Sequence, residues 1–468
     1  MNIRTRFAPS PTGIMHIGNV RTALMNYIFS QQKAGVFILR IEDTDLERNF
    51  DPGAKQLMQD LAWLNIHFNE GPEIGGDHAP YFQSQRNDIY KKKLEYLKEK
   101  AFAYPCFCTN EELEKKRARQ IAMKRPPRYD RTCLELSAEM RKEKLESLPC
   151  IWRMKVDSEK KIQFYDLSHG TLTFDLKNFS DFPISRADGS FTFMFANCVD
   201  DIEMKITHVL RGEDHLTNTV GQIVMFEAFE APLPQFWHLP VLCNTTGKKL
   251  SKRDQGFSLN DLKTAGFLPE AICNYLGILG RSFSEEILSF PELVKAYDFD
   301  TIHAASQIKY DLEKLRWVNH KWIERLDLDL LVEKVRPFLK EAFDLSQTSD
   351  KQLSFLLSIV KANMSTLKDA VLLLEFFFKQ PELSLLDIKN TISSEHAESI
   401  LNLLKKHAGE ENFYGAIQSE AKELSIPFKP LWETVRYILT GSVKGLQIKE
   451  LLEILSPDEV KKRINSIV

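Results

Sequence analysis

No stretch of this sequence is apolar for long enough to cross a bilayer as a helix, and no basic start followed by an apolar core marks a leader. An apparent strand already begins at residue 3, so no transit segment is expected and the chain reads as cytosolic, with no membrane partner. Cysteine is scarce, seven in 468 residues and an odd number, which argues against a disulfide framework. Charge of one sign is lacking too. The formal net charge of −3 excludes a uniformly basic nucleic-acid coat. Local basic patches remain open, because counterion release depends on the contacting residues and not on the sum. Internal repeats and low-complexity tracts are absent. What is there, 43% hydrophobic and 27% charged, is ordinary for globular domains. At roughly 100–200 residues per domain, the length implies three to five units.

The opening reads as a βαβ unit. Residues 3–8 alternate like a short strand, which Pro9, Pro11 and Gly13 break. Ala23, Leu24, Tyr27 and Ile28 then recur at helical spacing, and Val36 to Ile41 is a compact apolar strand. That order predicts a parallel nucleotide-binding sheet. Residues 85–182 hold a charged helical stretch, three spaced cysteines and β-rich segments, and read as an insertion. The sheet is expected to resume near Phe191, with a strand at Val209-Leu210 and a helix from Gln222 to Phe229. Residues 255–325 read as helical with glycine breaks. From about Leu326 onward nearly everything has helical periodicity.

Two motifs carry the chemistry. Pro9 to Asn19, which contains His16 and Gly18, lies between the first strand and the first helix. Gly13 would let the chain turn, and Gly18 would let a ligand approach the backbone. Free amides at a helix start favour phosphate, and His16 adds a side-chain donor there. About 230 residues later stands Gly247-Lys248-Lys249-Leu250-Ser251-Lys252-Arg253. Alone it would pass for a basic surface loop. A third pattern is Cys106-Phe107-Cys108, twenty-four residues, then Cys133-Leu134-Glu135. Thiolates and a carboxylate brought together by a fold can hold zinc; small buried thiols are the alternative. Between them Lys115, Lys116, Arg117, Arg119, Lys124, Arg125 and Arg128 suit either RNA phosphates or a solvated helix face. Asp200 and Asp201 read as structural residues.

The first motif resembles the HIGH signature of class I aminoacyl-tRNA synthetases, with Asn19 in place of the last histidine, and the second resembles their KMSKS loop. Thr5 to Gly13, Arg40 to Asp45 and Leu210 to His215 look like glutamyl-tRNA synthetase. So do Phe267 to Ala271 and Asp311 to Trp317. The resemblance implies a Rossmann-like parallel-sheet catalytic domain (1–84 and 183–245) with an inserted acceptor-binding domain (85–182). A KMSKS and helical stem-contact domain (246–325) and an all-helical anticodon-binding region (326–468) would follow.

It also implies that ATP, with Mg²⁺, activates L-glutamate to glutamyl-adenylate, and that glutamate then passes to the 3′ end of tRNA(Glu). By the resemblance, Arg6 and Arg211 receive the two carboxylates of glutamate, Glu42 its ammonium and Asn197 an oxygen. Ala8, Ser10 and Phe193 adjoin the same pocket. Phe193 stands where relatives carry a tyrosine, at the cost of one hydroxyl hydrogen bond of about 0.5–1.5 kcal/mol. Ser10, His16, Gly18, Arg48, Asp214, Lys249 and Lys252 would hold ATP, with His16, Lys249 and Lys252 assisting the chemistry. A structural Zn²⁺ would sit on Cys106, Cys108, Cys133 and Glu135, which replaces the family's histidine. Asn363 aligns with an arginine that in some relatives rejects tRNA(Gln), which implies charging of that tRNA as well. The enzyme is expected to be a monomer. A non-catalytic tRNA-binding relative is the competing class, and intact Arg6, His16, Arg211 and Lys252 argue against it.

Overall fold

The computed structural model of the chain describes residues 2–467 apart from 12, 45–50, 52, 252, 253, 255, 300–306 and 393–395. Two compact units are resolved: 1–261 with 272–312, and 262–271 with 313–468.

In the first unit, β1 (Arg4–Phe7) leads through a loop to α1 (Ile17–Gln32), and α1 returns to β2 (Val36–Leu39). β1 and β2 run parallel in the register Arg4↔Val36 to Phe7↔Leu39. The apolar residues of α1 set this order: Ile17, Val20, Leu24 and Ile28 are fully buried at three- and four-residue spacing. The return from α1 to β2 depends on Gly35, where a Cβ would lie 2.6 Å from the carbonyl oxygen of Ile3.

The central sheet continues through β8 (His208–Gly212) and β9 (Gln235–Leu239), parallel to each other and linked by α7 (Leu216–Ala228). The Thr207 amide donates to the Arg4 carbonyl at 3.0 Å, which sets β8 beside β1. β5 (Lys161–Asp166) pairs in parallel with β9 at Asp166↔Phe236 and antiparallel with β6 (Gly170–Asp175). The strand order is β6-β5-β9-β8 in one sheet and β1-β2 in another, with β8 lying beside β1. The 85–182 segment thus adds its own edge to the sheet.

That segment also carries α3 (Asn87–Glu99), β3 (Ala103–Cys106), α4 (Asn110–Ala122) and β4 (Ile151–Met154). β4 pairs antiparallel with β3 and with β7 (Phe182–Pro183). α4 opens on a capping box between Thr109 and Glu112, which accounts for its start although no residue of α4 is buried.

One expectation is corrected. The sheet does not resume near Phe191; α6 (Phe193–Glu203) begins there, and the next strand is β8. The spacing explains it, since Phe195, Ala196 and Val199 are all fully buried on one helical face. α7 also starts at Leu216, earlier than expected.

The second unit has no strand among its described residues. Its helices include Leu328–Ala342, Asp350–Val360, Ala397–His407 and Phe428–Thr440. The first two start on Asp327 and Ser349, whose side chains accept from first-turn amides, and the last ends at Gly441 with φ +74°.

Candidate active site

The loop after β1 pairs through its backbone with residues 257–259, which follow the basic segment. The Ile17 amide donates to the Phe257 carbonyl and the Leu259 amide to the Met15 carbonyl, each at 2.9 Å. The His16 ring stacks on Phe257 at 5.1 Å. His16 is also the N-cap of α1: its Nδ1 accepts from the Asn19 amide, while Asn19 Oδ1 accepts from the His16 amide, both at 3.3 Å. An accepting Nδ1 leaves the proton of a neutral ring on Nε2. A Cβ at Gly18 would come within 3.0 Å of the His16 ring, so Gly18 makes room for that ring as well as for a ligand. Gly13 differs from expectation. A Cβ there would meet nothing within 4 Å and its φ is not positive, so the turn does not require glycine. On the basic segment, Lys249 lies 3.5 Å from Asp214, both largely exposed. Lys252 and Arg48 lie outside the described residues.

Behind this surface runs a buried polar chain joining the two arginines singled out above. Arg6 donates to both oxygens of Asp201, at 3.1 and 3.3 Å. Arg40 donates to Asp201 at 2.7 Å and to Glu42 Oε1 at 3.0 Å. The Asn197 amide donates to the same Glu42 oxygen at 2.6 Å and accepts from Gln222 at 2.7 Å. Gln222 in turn accepts from Arg211 at 2.7 Å. The amides can point only one way, because Gln222 must offer oxygen to a guanidinium and Asn197 must offer nitrogen to a carboxylate. Glu42 Oε2 accepts no hydrogen bond from the described residues. Beneath the chain, Asp200 is held by Arg86 at 2.6 Å, Tyr90 at 2.8 Å and Gln83 at 2.9 Å.

The two arginines differ in charge balance. Arg6 has the Asp201 carboxylate. Arg211 is just as buried, but its partners Thr219 (2.6 Å), Gln222 and His238 (3.3 Å) are all neutral or orientable. Burial, with the charge of Arg6 added, pushes the Arg211 pKa down to about 9. It remains a cation at neutral pH, and one that an incoming anion would stabilise. Burial pushes the Asp201 carboxyl up, but Arg6 and Arg40 outweigh this and hold it below the usual value. Burial prevails at Glu42 and Asp200, both raised despite Arg40. Burial, then Arg211, pushes His215 down to about 4, so it is neutral at physiological pH.

The remaining expected residues flank this chain. Ala8 follows β1 directly and Ser10 is exposed in the loop beyond it. Phe193 opens α6 with its ring 5.8 Å from that of His215. Sequence reasoning missed Gln222, Thr219 and His238, and missed that Asp201 is shared by Arg6 and Arg40. The α6 signal was available: Asn197, Asp200 and Asp201 stand at i, i+3 and i+4. His238 and its partner Asp166 leave no local trace, being 72 residues apart.

The cysteines form a separate cluster. Among the described residues, the sulfurs of Cys106, Cys108 and Cys133 lie within 4.8 Å of one another. Glu135, the fourth ligand expected, is exposed and is not among them. The oxygen that does stand there is the Tyr129 hydroxyl, 3.3 Å from Cys106 and 3.8 Å from Cys108. Burial, with the Cys106 and Cys133 sulfurs beside it, pushes the Cys108 thiol up to about 12. A cation would reverse that, since it would stabilise all three thiolates together. The donor set fits zinc.

Comparison with known proteins identifies the family. Residues 2–317 match the model of the class I tRNA synthetase (E and Q) catalytic domain, and residues 330–468 that of an anticodon-binding domain. The glutamate–tRNA ligase of Bacillus licheniformis is 37% identical over 100% of this chain and 99% of its own. That of a Sulfurihydrogenibium species is 39% identical over 98% of each. The crystal structure of a glutamate tRNA ligase from Elizabethkingia meningosepticum in complex with its amino acid has a TM-score of 0.87 at 31% identity, covering 99% of both chains. Matched from end to end by these relatives and over both domains by the family models, the chain belongs to the glutamate–tRNA ligases, class I aminoacyl-tRNA synthetases.

Proposed function

We propose that Arg6 and Arg211 receive the two carboxylates of glutamate, Glu42 its ammonium group and Asn197 one of its oxygens. Ala8, Ser10 and Phe193 complete the pocket wall. Arg211, a buried cation without an acid partner among the described residues, carries this reading. Glu42 keeps one oxygen for the ammonium. His16, Gly18, Asp214 and Lys249 hold ATP, together with Arg48 and Lys252. Mg²⁺, when bound with ATP, supplies further neutralisation of phosphate charge. The glutamate α-carboxylate attacks the α-phosphate and pyrophosphate leaves; the terminal ribose hydroxyl of tRNA then attacks the adenylate and AMP leaves. His16 Nε2–H and the lysines offset charge on the phosphates as it shifts. Orientation by the arginines holds the attacking carboxylate near the phosphate.

The same reading makes the protein a monomeric cytoplasmic enzyme, and no helix among its described residues is long and apolar enough to cross a membrane. Asn363, exposed on the turn Lys361–Asn363, supports acceptance of tRNA(Gln) beside tRNA(Glu). The test is glutamate-dependent exchange of pyrophosphate into ATP, with and without each tRNA. Exchange is expected only with tRNA present, and with either one. Exchange with tRNA(Glu) alone would remove tRNA(Gln) from the proposal, and none with either would remove catalysis.

Cys106, Cys108 and Cys133 hold one structural Zn²⁺, with an oxygen of Glu135 or Tyr129 completing the set. Elemental analysis of purified protein should find about one zinc per chain, and Cys133→Ser should lose it. Metal-free wild-type protein with unchanged thermal stability would refute the site.

A further inference from the structure

We propose that His238, fixed in its neutral Nδ1–H tautomer by Asp166, is a positioning residue that determines specificity for the acidic side chain of the substrate. It turns a hydrogen-bond acceptor, and not a counter-ion, towards Arg211. The proposal rests on the reading of Arg211 as a carboxylate receptor.

The sheet builds the arrangement. Arg211 on β8 and His238 on β9 are direct register partners, so their side chains share a face. Asp166, at the end of β5, reaches the same histidine from the other side of β9. His238 Nδ1 lies 2.6 Å from Asp166 Oδ2, and both side chains are wholly buried. A carboxylate only accepts, so the imidazole proton sits on Nδ1. Nε2 then carries a lone pair, and two donors address it: Arg211 Nε at 3.3 Å and the Thr219 hydroxyl at 2.9 Å. The opposite tautomer would set N–H against N–H. An imidazolium would set cation against cation.

Asp166 is itself fully engaged. It accepts from the backbone amides of Ser168 (2.9 Å), His169 (3.0 Å) and His238 (3.1 Å), and from His169 Nδ1 at 2.9 Å. A buried carboxylate thus stands one imidazole ring away from Arg211 without touching it. The distance matters for selection. If a carboxylate met Arg211 directly, the guanidinium would be neutralised before substrate arrived. An acidic substrate would then meet a neutral pair, and its amide isostere would no longer face an uncompensated cation. His238 transmits orientation from Asp166 while withholding its charge.

The experiment is tRNA-dependent pyrophosphate exchange with glutamate and with glutamine, on full-length variants whose melting temperature and KM for ATP are also measured. His238→Glu brings a carboxylate to Arg211. The KM for glutamate should rise about 100-fold and the preference for glutamate over glutamine should fall by a similar factor. His238→Gln can offer an amide oxygen near the Nε2 position and should restore the preference to within a few-fold. A purely structural histidine would lower activity on both amino acids together; an unchanged preference in His238→Glu overturns the proposal. Should that variant not fold, Asp166→Asn decides. Asparagine can turn its NH₂ to Nδ1 and release the tautomer, so KM for glutamate should rise at unchanged KM for ATP, and a wild-type KM overturns the proposal. Arg211→Met serves as the control: a wild-type preference there would refute the carboxylate-receptor reading itself, whatever His238 does.

Discussion

Arg211→Met should lose roughly 30- to 4,000-fold in kcat/KM for glutamate, the range set by about 2–5 kcal/mol for truncating one member of a buried charge pair. The same variant should unfold at an equal or higher temperature than the wild type. Both halves follow from one observation. Arg211 is a buried guanidinium whose partners in the free enzyme carry no negative charge. Its desolvation is uncompensated until a carboxylate enters, so the free protein bears a cost that substrate binding relieves. Methionine matches the aliphatic stem and removes the charge, which should stabilise the fold by about 1 kcal/mol, as commonly happens when a strained functional group is replaced. Melting curves with and without glutamate, beside the exchange assay, check both halves. A variant that is both inactive and clearly less stable would mean that Arg211 is a structural strut.

The stretches that could be read from the sequence are those whose partners are close in the chain. The alternation of residues 3–8, the helical spacing after Gly18 and the apolar run after Val36 each specify an element, and β1, α1 and β2 are found there. His16 and Lys249 were legible as motif residues. The pairing of the first loop with the stretch at Phe257, which follows the second motif, was not, because short motifs do not record which backbone segments pair. Arg6 and Arg211 were likewise identifiable, yet the difference between them was hidden. It lies in which acids reach each guanidinium: Asp201, 195 positions away in sequence, reaches Arg6, whereas the partners of Arg211 are Thr219, Gln222 and His238. The reading of a strand near Phe191 failed for a related reason: a short apolar run fits either period, and only the burial of Phe195, Ala196 and Val199 on one face decides for helix. At the cysteine cluster, spacing drew attention to Glu135, whereas the fold turns Tyr129 inward.

Asp201→Asn should be the reverse of Arg211→Met, destabilising the protein by about 3–5 kcal/mol, the usual cost of removing one partner from a buried ionic group. Asp201 is 3% exposed and is shared by Arg6 and Arg40, so its neutralisation leaves Arg6 without its carboxylate partner and Arg40 with Glu42 at 3.0 Å and Asp200 at 3.8 Å. Asparagine can keep the shape and one acceptor, but it would turn an NH₂ towards a cation. The pH dependence separates this from mere loss of packing. The Asp201 carboxyl is held below its ordinary value, so its contribution is complete above the unfolded-state pKa of about 3.9 and is lost as pH falls towards the lower folded value. Glu42 and Asp200 have the opposite sign: burial raises both, so each costs stability at neutral pH and ceases to do so as acid protonates it. As pH falls below about 6.5 the wild type should begin to lose stability, because burial keeps His208, His215 and His238 from taking up the protons they bind in the unfolded chain. Glu42 and Asp200 partly offset this effect, and below about 4 the loss at Asp201 adds to it. In Asp201→Asn the loss below 4 should shrink while the behaviour above it persists. Denaturant titrations across that range give both slopes. A variant whose stability falls by the same amount at every pH would mean that Asp201 acts through shape and hydrogen bonding and not through its charge.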